Sequence, residues 1–167
     1  MVTTERFQQG MTVQQYLDQM TTNKDRFLQA LQEIKIKPED RKAFERLPKP
    51  LKILVITEDW CSDALTAVPV LIKLAEGLSD VEIRVFLRDK NPDLMDQYLN
   101  QGQYRSIPVF AFFDREMNEI TRFIERPVQV TEFIEKKLRE LRQALRQEHQ
   151  GEWRQAVVEE VRSLLKI

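Results

Sequence analysis

Cys61 is the only cysteine in this chain of 167 residues, and its position suits a reactive thiol. It follows an apolar run, Leu51 and Ile53–Ile56, that is short and rich in β-branched residues, as in a buried strand. Beyond it, apolar residues recur with helical spacing from Leu65 to Leu78. The cysteine therefore falls in the first turn of a predicted helix, where free backbone N–H groups and the helix dipole favour a thiolate.

Three carboxylates flank this cysteine: Glu58, Asp59 and Asp63. A nearby negative charge opposes the formation of a second anion, whereas the helix terminus favours it. The dipole effect is worth ~0.3–1 kcal/mol at an exposed site, so three carboxylates can cancel it. We treat all three as candidate modulators of the thiol. The alternative for Cys61 itself is a buried structural role, since free cysteine is among the most buried residue types.

The stretch WCSDALTAVP at 60–69 resembles the Trp-Cys-x-x-Cys motif and helix of the thioredoxin superfamily. The stretch SIPVF at 106–110 resembles the family's cis-proline loop, which faces the active cysteine. The resemblance covers roughly residues 51–138 and is that of an atypical, single-cysteine member with Trp-Cys-x-Asp. It implies that Cys61 is catalytic and that Trp60, Ile107 and Pro108 bind substrate.

Two residues depart from the family pattern. Ala64 stands where a dithiol thioredoxin has its second cysteine, which releases the product from the mixed disulfide. Val55 stands where these proteins keep a buried aspartate. The hypothesis is therefore a monothiol thiol-disulfide oxidoreductase in which an external thiol resolves a mixed disulfide at Cys61. The alternative is a non-catalytic protein-binding module that uses the Trp60/Pro108 groove or the added helices.

The pattern along the chain predicts the element order β-α-β-α-β-β-α, which is that of a thioredoxin core. The resemblance therefore implies an α/β, thioredoxin-like fold with a central mixed four-stranded sheet flanked by helices. We expect one domain, 1–167, with a core of about 51–140, an N-terminal helical extension at 1–48 and a C-terminal helix at 152–167. Residues 1–10 are expected to be loosely ordered. Asn23 and Thr131 are expected to cap helices, and the apolar stripes of the extensions to dock on the core.

The composition limits the classes of partner that we expect for this chain. A net charge of −1 gives no basic field for nucleic acid, and no apolar run is long enough to cross a membrane. One histidine, His149, has no cysteine near it, so no metal site of the usual Cys/His kinds and no cofactor are expected. The expected partner is a protein or a low-molecular-weight thiol or disulfide, with a homodimer through the helical extensions left open. A lone cysteine and the polar N-terminus favour the cytoplasm.

Overall fold

The computed structural model describes residues 2–47 and 49–166 and divides the chain into two compact units, residues 1–126 and 127–167. The first unit is built on a four-stranded sheet with the order β2-β1-β3-β4. Strand β1 pairs in parallel with β2 and antiparallel with β3, and β3 pairs antiparallel with β4. This arrangement confirms the predicted mixed sheet. The strands are β1 Leu51–Thr57, β2 Val81–Leu87, β3 Val109–Phe113 and β4 Glu119–Ile124.

Helices precede, connect and follow these strands. Those of the first unit are α1 Thr4–Gln8, α2 Val13–Gln19, α3 Lys24–Glu33, α4 Pro38–Glu45, α5 Ser62–Ala75 and α6 Pro92–Met95, with a 3-10 turn at Arg88–Lys90. The second unit contains α7 Val128–Glu148 and α8 Gln150–Leu165.

The central strand β1 is buried on both faces, which explains why residues 53–56 in it are all apolar. Leu54 and Ile56 belong to one apolar cluster, which also contains Leu94, Met95 and Tyr98 after β2. The opposite face forms a second cluster, which brings together Ile53 and Val55 of β1, Val68 and Leu71 of α5, and Tyr16, Met20 and Phe27 of the N-terminal extension. Fully burying one large apolar side chain stabilises a fold by ~1.5–3 kcal/mol, so the extension contributes to this core.

The expectation that residues 1–10 are loosely ordered is wrong for residues 2–10, and Met1 lies outside the described residues. Phe7 on α1 is fully buried, and Val2 is 6% exposed. Met11 then pairs antiparallel with Val85 on the outer edge of β2, through N–H···O bonds of 2.9 and 2.8 Å. A five-residue helix with one buried aromatic side chain has no repeating pattern, so nothing local in the sequence indicates that it is fixed.

The expected cap at Thr131 is wrong, because α7 starts at Val128 after the N-cap residue Pro127 and Thr131 lies inside the helix. The break between α7 and α8 falls at His149 rather than Gly151. The side chains of the C-terminal stripe are 45–71% exposed: Trp153, Val157, Val161 and Leu164. The expected docking of this stripe on the core stays a prediction. Pairing of these helices with a second copy stays a prediction. Within the described residues, no helix combines the length and apolarity that a membrane span requires.

Gly10 provides a test of how tightly the N-terminal segment is packed on β2. A Cβ atom at this position would lie 2.6 Å from a ring carbon of Phe86 and 2.8 Å from Cβ of Arg84. We expect Gly10→Ala to lower the free energy of unfolding by ~1–3 kcal/mol, the usual range for overpacking. Chemical denaturation would measure the change.

The matched control is Gly151→Ala, because a Cβ there meets no described heavy atom within 4 Å. Alanine is the better helix former, so the control should leave stability unchanged or slightly raised. Equal effects of the two substitutions would contradict the close packing of Gly10.

Candidate functional site

Cys61 is the N-cap residue of α5, with an extended backbone at φ −81° and ψ 122°. Its half-buried sulfur accepts the backbone N–H of Ala64 at 3.4 Å. On its other side the thiol donates to the carbonyl oxygen of Ile107, with Sγ 3.5 Å from that oxygen. The sulfur thus lies between a backbone N–H donor in the first turn of the helix and a backbone carbonyl acceptor in the loop before β3.

The loop before β3 places Ile107 and Pro108 beside this sulfur. The Ile107–Pro108 peptide bond is cis, and both residues are buried. The carbonyl of Pro108 accepts the backbone N–H of Glu125 at 2.8 Å, which ties the loop to the chain leaving β4. The structure therefore brings Cys61 and both sequence-predicted loop residues together, although Cys61 and Ile107 lie 46 positions apart.

Trp60 is 46% exposed and immediately precedes the cysteine. The guanidinium of Arg88 lies over its ring, 4.8 Å from the centroid, in a cation–π contact. Arg88 directly follows β2, and the carboxyl ends of the parallel strands β1 and β2 meet at one edge of the sheet. Sequence reasoning missed Arg88. Because β1 and β2 are parallel, the residue that follows β2 lies at the same sheet edge as the residues that follow β1.

Asp59 is directed towards the N-terminal extension. One carboxylate oxygen accepts the backbone N–H groups of Thr21 and Thr22 at 2.7 and 2.9 Å. The side-chain amide of Asn23 donates to the carbonyl of Asp59 at 3.0 Å. Asn23 is the N-cap residue of α3, as expected, but it has a left-handed backbone, φ 58°, and its side chain makes no capping hydrogen bond. These contacts hold the turn before Cys61 from the N-terminal side.

Asp63 in the first turn of α5 pairs with Arg126 at 3.2 Å. Arg126 also pairs with Glu125, whose carboxylate accepts the side-chain amide of Asn100 at 2.7 Å. This chain of polar contacts runs from the helix that carries Cys61 to the segment that holds the proline loop. Arg126 is a further residue that sequence reasoning missed, because nothing local relates it to a partner 63 positions away.

Glu58 is the most buried of the three carboxylates, at 8% exposure. Burial raises its pKa above the ordinary value of 4.5, and the hydrogen bond from the backbone N–H of Asp89, 2.8 Å long, opposes the rise. All three candidate modulators thus have a partner other than Cys61.

The chemistry available here is that of a thiol beside a backbone carbonyl and an exposed aromatic ring. Within residues 2–47 and 49–166, no group of three or more His, Cys, Asp or Glu side chains is arranged to hold a metal ion. The site can therefore use its sulfur as a nucleophile or use its backbone and Trp60 to hold an extended chain.

The raised pKa of Glu58 makes protein stability depend on pH. Because the folded state holds this proton more tightly than the unfolded chain, ionised Glu58 costs stability above its folded pKa, and the cost disappears below 4.5. We expect Glu58→Gln to raise the melting temperature at pH 7, with a gain that shrinks as the pH falls through the carboxyl range. Thermal unfolding at several pH values measures this.

Glu116→Gln in the exposed turn between β3 and β4 controls for the loss of one charge. A gain for Glu58→Gln that did not change with pH would contradict the assignment.

Comparison with known proteins identifies the family of this chain. The thioredoxin family model matches residues 10–154. A protein of unknown function from Pseudomonas aeruginosa, PA1234, is 19% identical, with a TM-score of 0.71 over 96% of this chain and 99% of that one. An HIV epitope-scaffold protein is 20% identical, with a TM-score of 0.67 over 76% and 79%.

Thioredoxin from Fasciola hepatica is 21% identical, with a TM-score of 0.38 over 57% of this chain and 88% of that one. The search of curated proteins gives no significant match. These structural likenesses, at 19–20% identity for the two similar folds, concern the fold. The family model extends over most of the sequence, and the chain belongs to the thioredoxin family.

Proposed function

We propose that this protein carries out thiol-disulfide exchange through a single thiol, that of Cys61. The observation that carries the proposal is the placement of Sγ, 3.4 Å from the first-turn N–H of Ala64 and 3.5 Å from the carbonyl of Ile107. The N–H group stabilises a negative charge on sulfur, and the adjacent loop offers backbone to a substrate.

The exchange proceeds in two steps. The thiolate of Cys61 attacks one sulfur of a substrate disulfide, so that a bond forms between Cys61 and that sulfur while the old S–S bond breaks. The second substrate sulfur leaves as a thiolate and takes a proton from water. An external thiolate then attacks the substrate sulfur of the mixed disulfide, forms a new disulfide with it and releases Cys61 as a thiolate.

The second step needs an external thiol because the chain has no resolving group of its own. Ala64 occupies the position of the second cysteine and is 1% exposed. Val55 on β1 is fully buried and apolar. A low-molecular-weight thiol is the partner that this arrangement favours, since it can reach a half-buried sulfur more easily than a folded protein can.

The groove beside the sulfur supports an extended substrate. Ile107 brings its carbonyl to the sulfur, Pro108 begins the turn into β3, and Trp60 presents an exposed ring. A peptide lying along the loop would add backbone contacts in the manner of strand addition. Trp60, Ile107 and Pro108 are therefore the proposed substrate-binding residues.

The second candidate is a protein-binding module of the same family without turnover. It is favoured by the two apolar replacements at the site, Ala64 and Val55, which are both buried. In this function the groove at Trp60 and Pro108 holds a partner, and Cys61 only packs against it. The two functions differ in one measurable property, the covalent chemistry of the sulfur.

The deciding experiment treats the reduced protein with oxidised glutathione and follows its intact mass. We expect one glutathione to be added to each chain at Cys61, and to be lost again when reduced glutathione is supplied in excess. Cys61→Ser is the control and should gain no mass. A wild-type protein that gains no mass in the native state but does so when unfolded would support the binding module instead.

A second experiment tests the missing resolving group. Reduced protein is mixed with one equivalent of a labelled peptide disulfide, with no other thiol present. We expect the wild type to hold one half of the peptide disulfide as a stable adduct. Ala64→Cys should release it, because the new thiol can attack the Cys61 sulfur and close an internal disulfide.

Ala64→Ser introduces a side chain close in size to cysteine but without a thiol. This variant should therefore retain the adduct, as the wild type does. If the wild type or Ala64→Ser released the bound half of the peptide with no added thiol, the assignment of Ala64 as the position of the missing resolving group would be contradicted.

A further inference from the structure

Arg88 contacts both walls of the groove beside Cys61. On one side its guanidinium lies over the ring of Trp60, 4.8 Å from the centroid. On the other side its Nη1 donates to the backbone carbonyl of Arg105 at 3.5 Å. Arg105 lies two positions before Ile107, whose own carbonyl is 3.5 Å from Sγ of Cys61. One guanidinium therefore touches both the residue before the cysteine and the loop that carries the proline.

The position of this guanidinium is fixed by its neighbours. The backbone N–H of Asp89 donates to the buried carboxylate of Glu58 at 2.8 Å, which holds the end of β2 against the turn before Cys61. Nε and Nη2 of Arg88 both contact Oδ1 of Asp89, at 2.9 and 2.8 Å. The guanidinium is thus placed before any ligand arrives, and a preorganised donor loses less conformational freedom on binding.

Part of the donor capacity of Arg88 is unused. A guanidinium carries five N–H groups, and the contacts with Asp89 and with the carbonyl of Arg105 take three of them. Among the described residues, one N–H on Nη1 and one on Nη2 have no acceptor. Two such donors on neighbouring nitrogens match the two oxygens of a carboxylate. The side chain is 27% exposed, so a ligand can reach it from solvent.

The acidic neighbour of Arg88 leaves its charge available to a ligand. Asp89 is 59% exposed and binds through one oxygen, and ion pairs exposed to this degree are weak and screened by salt. Arg105 differs, because both oxygens of Asp96 already occupy its fork, at 2.7 and 2.8 Å. The two arginines carry the same charge beside the same loop, and they differ in whether the fork is occupied.

We propose that Arg88 determines the substrate class of this site: it selects low-molecular-weight disulfides and thiols that carry a carboxylate. The inference rests on the proposed exchange at Cys61, and it makes the external thiol of the second step an anionic one. The carboxylate binds the guanidinium while the substrate sulfur meets Sγ. The carbonyls of Arg105 and Ile107, which contact these two groups, are separated by at most about 7 Å of extended chain. One molecule of tripeptide size can therefore span both.

The test uses alkylating reagents that differ in one charge, applied to the full chain. Iodoacetylglycine and iodoacetylglycylglycine place a terminal carboxylate at two distances from the sulfur, and each has an uncharged amide of the same shape. All four reagents lose iodide as they form a thioether with the thiolate of Cys61, the only cysteine. The ratio of the acid rate to the amide rate reports on the carboxylate, since ionisation of the thiol affects both rates alike.

Arg88→Gln should lower this ratio by about threefold to tenfold for the reagent whose carboxylate reaches the guanidinium. This effect lies between that of a solvated ion pair and that of a buried charged hydrogen bond. Arg88→Met keeps an unbranched side chain against the ring of Trp60 without the charge. It should give the same fall, and it carries the test if Arg88→Gln does not fold.

The matched control is Arg105→Gln, which removes an equal charge beside the same loop. Because its fork is already held by Asp96, we expect the ratio to change by less than about twofold. Physiological ionic strength limits the contribution of more distant charges to all of these rates.

An unchanged ratio with both reagent pairs in a folded Arg88 variant would overturn the inference. An equal fall for Arg105→Gln would also overturn it, because the reagents would then respond to the general field of the loop rather than to a contact with Arg88. Alkylation needs no disulfide. A failure of the glutathione experiment would therefore count against exchange at Cys61, whereas these ratios test Arg88 separately.

Discussion

The carboxylate of Asp59 links the N-terminal helices of the first unit to the turn that precedes Cys61. It accepts two backbone N–H groups from the turn between α2 and α3, and its own carbonyl accepts the amide of Asn23. A charged acceptor with backbone donors makes a strong and directional contact. The turn that leads from β1 to Cys61 is therefore fixed from outside the sheet, and the N-terminal helices become part of the site rather than an addition to it.

Much of the fold was predictable because its signals are local. The strands β1 to β4 and the helix after Cys61 each follow from spacing and residue type within about fifteen positions. The short helix α1 and the left-handed turn at Asn23 were not predictable. Each is set by a contact with a residue far away in sequence, Phe7 with the sheet core and Asn23 with Asp59.

The same distinction between local signals and long-range contacts applies to the candidate site. The position of Cys61 at a helix start and the loop at Ile107 and Pro108 were visible in the sequence as motifs. The partners of the flanking carboxylates were not, because Arg126 and the backbone of Thr21 and Thr22 reach them only through the fold. The sequence therefore suggests three charges acting on one thiol, whereas the structure directs each carboxylate to a donor of its own.

The pairing of Met11 with Val85 has a consequence for how the molecule behaves among its own copies. A sheet edge presents unpaired N–H and C=O groups, and a strand from a neighbouring molecule can pair with them. On the β2 side the outward groups of Val85 are already used by Met11, and Gly10 lies pressed against Phe86 where a side chain would hold the segment away. The N-terminal segment thus occupies this edge at Val85, where a strand from a neighbouring molecule would otherwise pair.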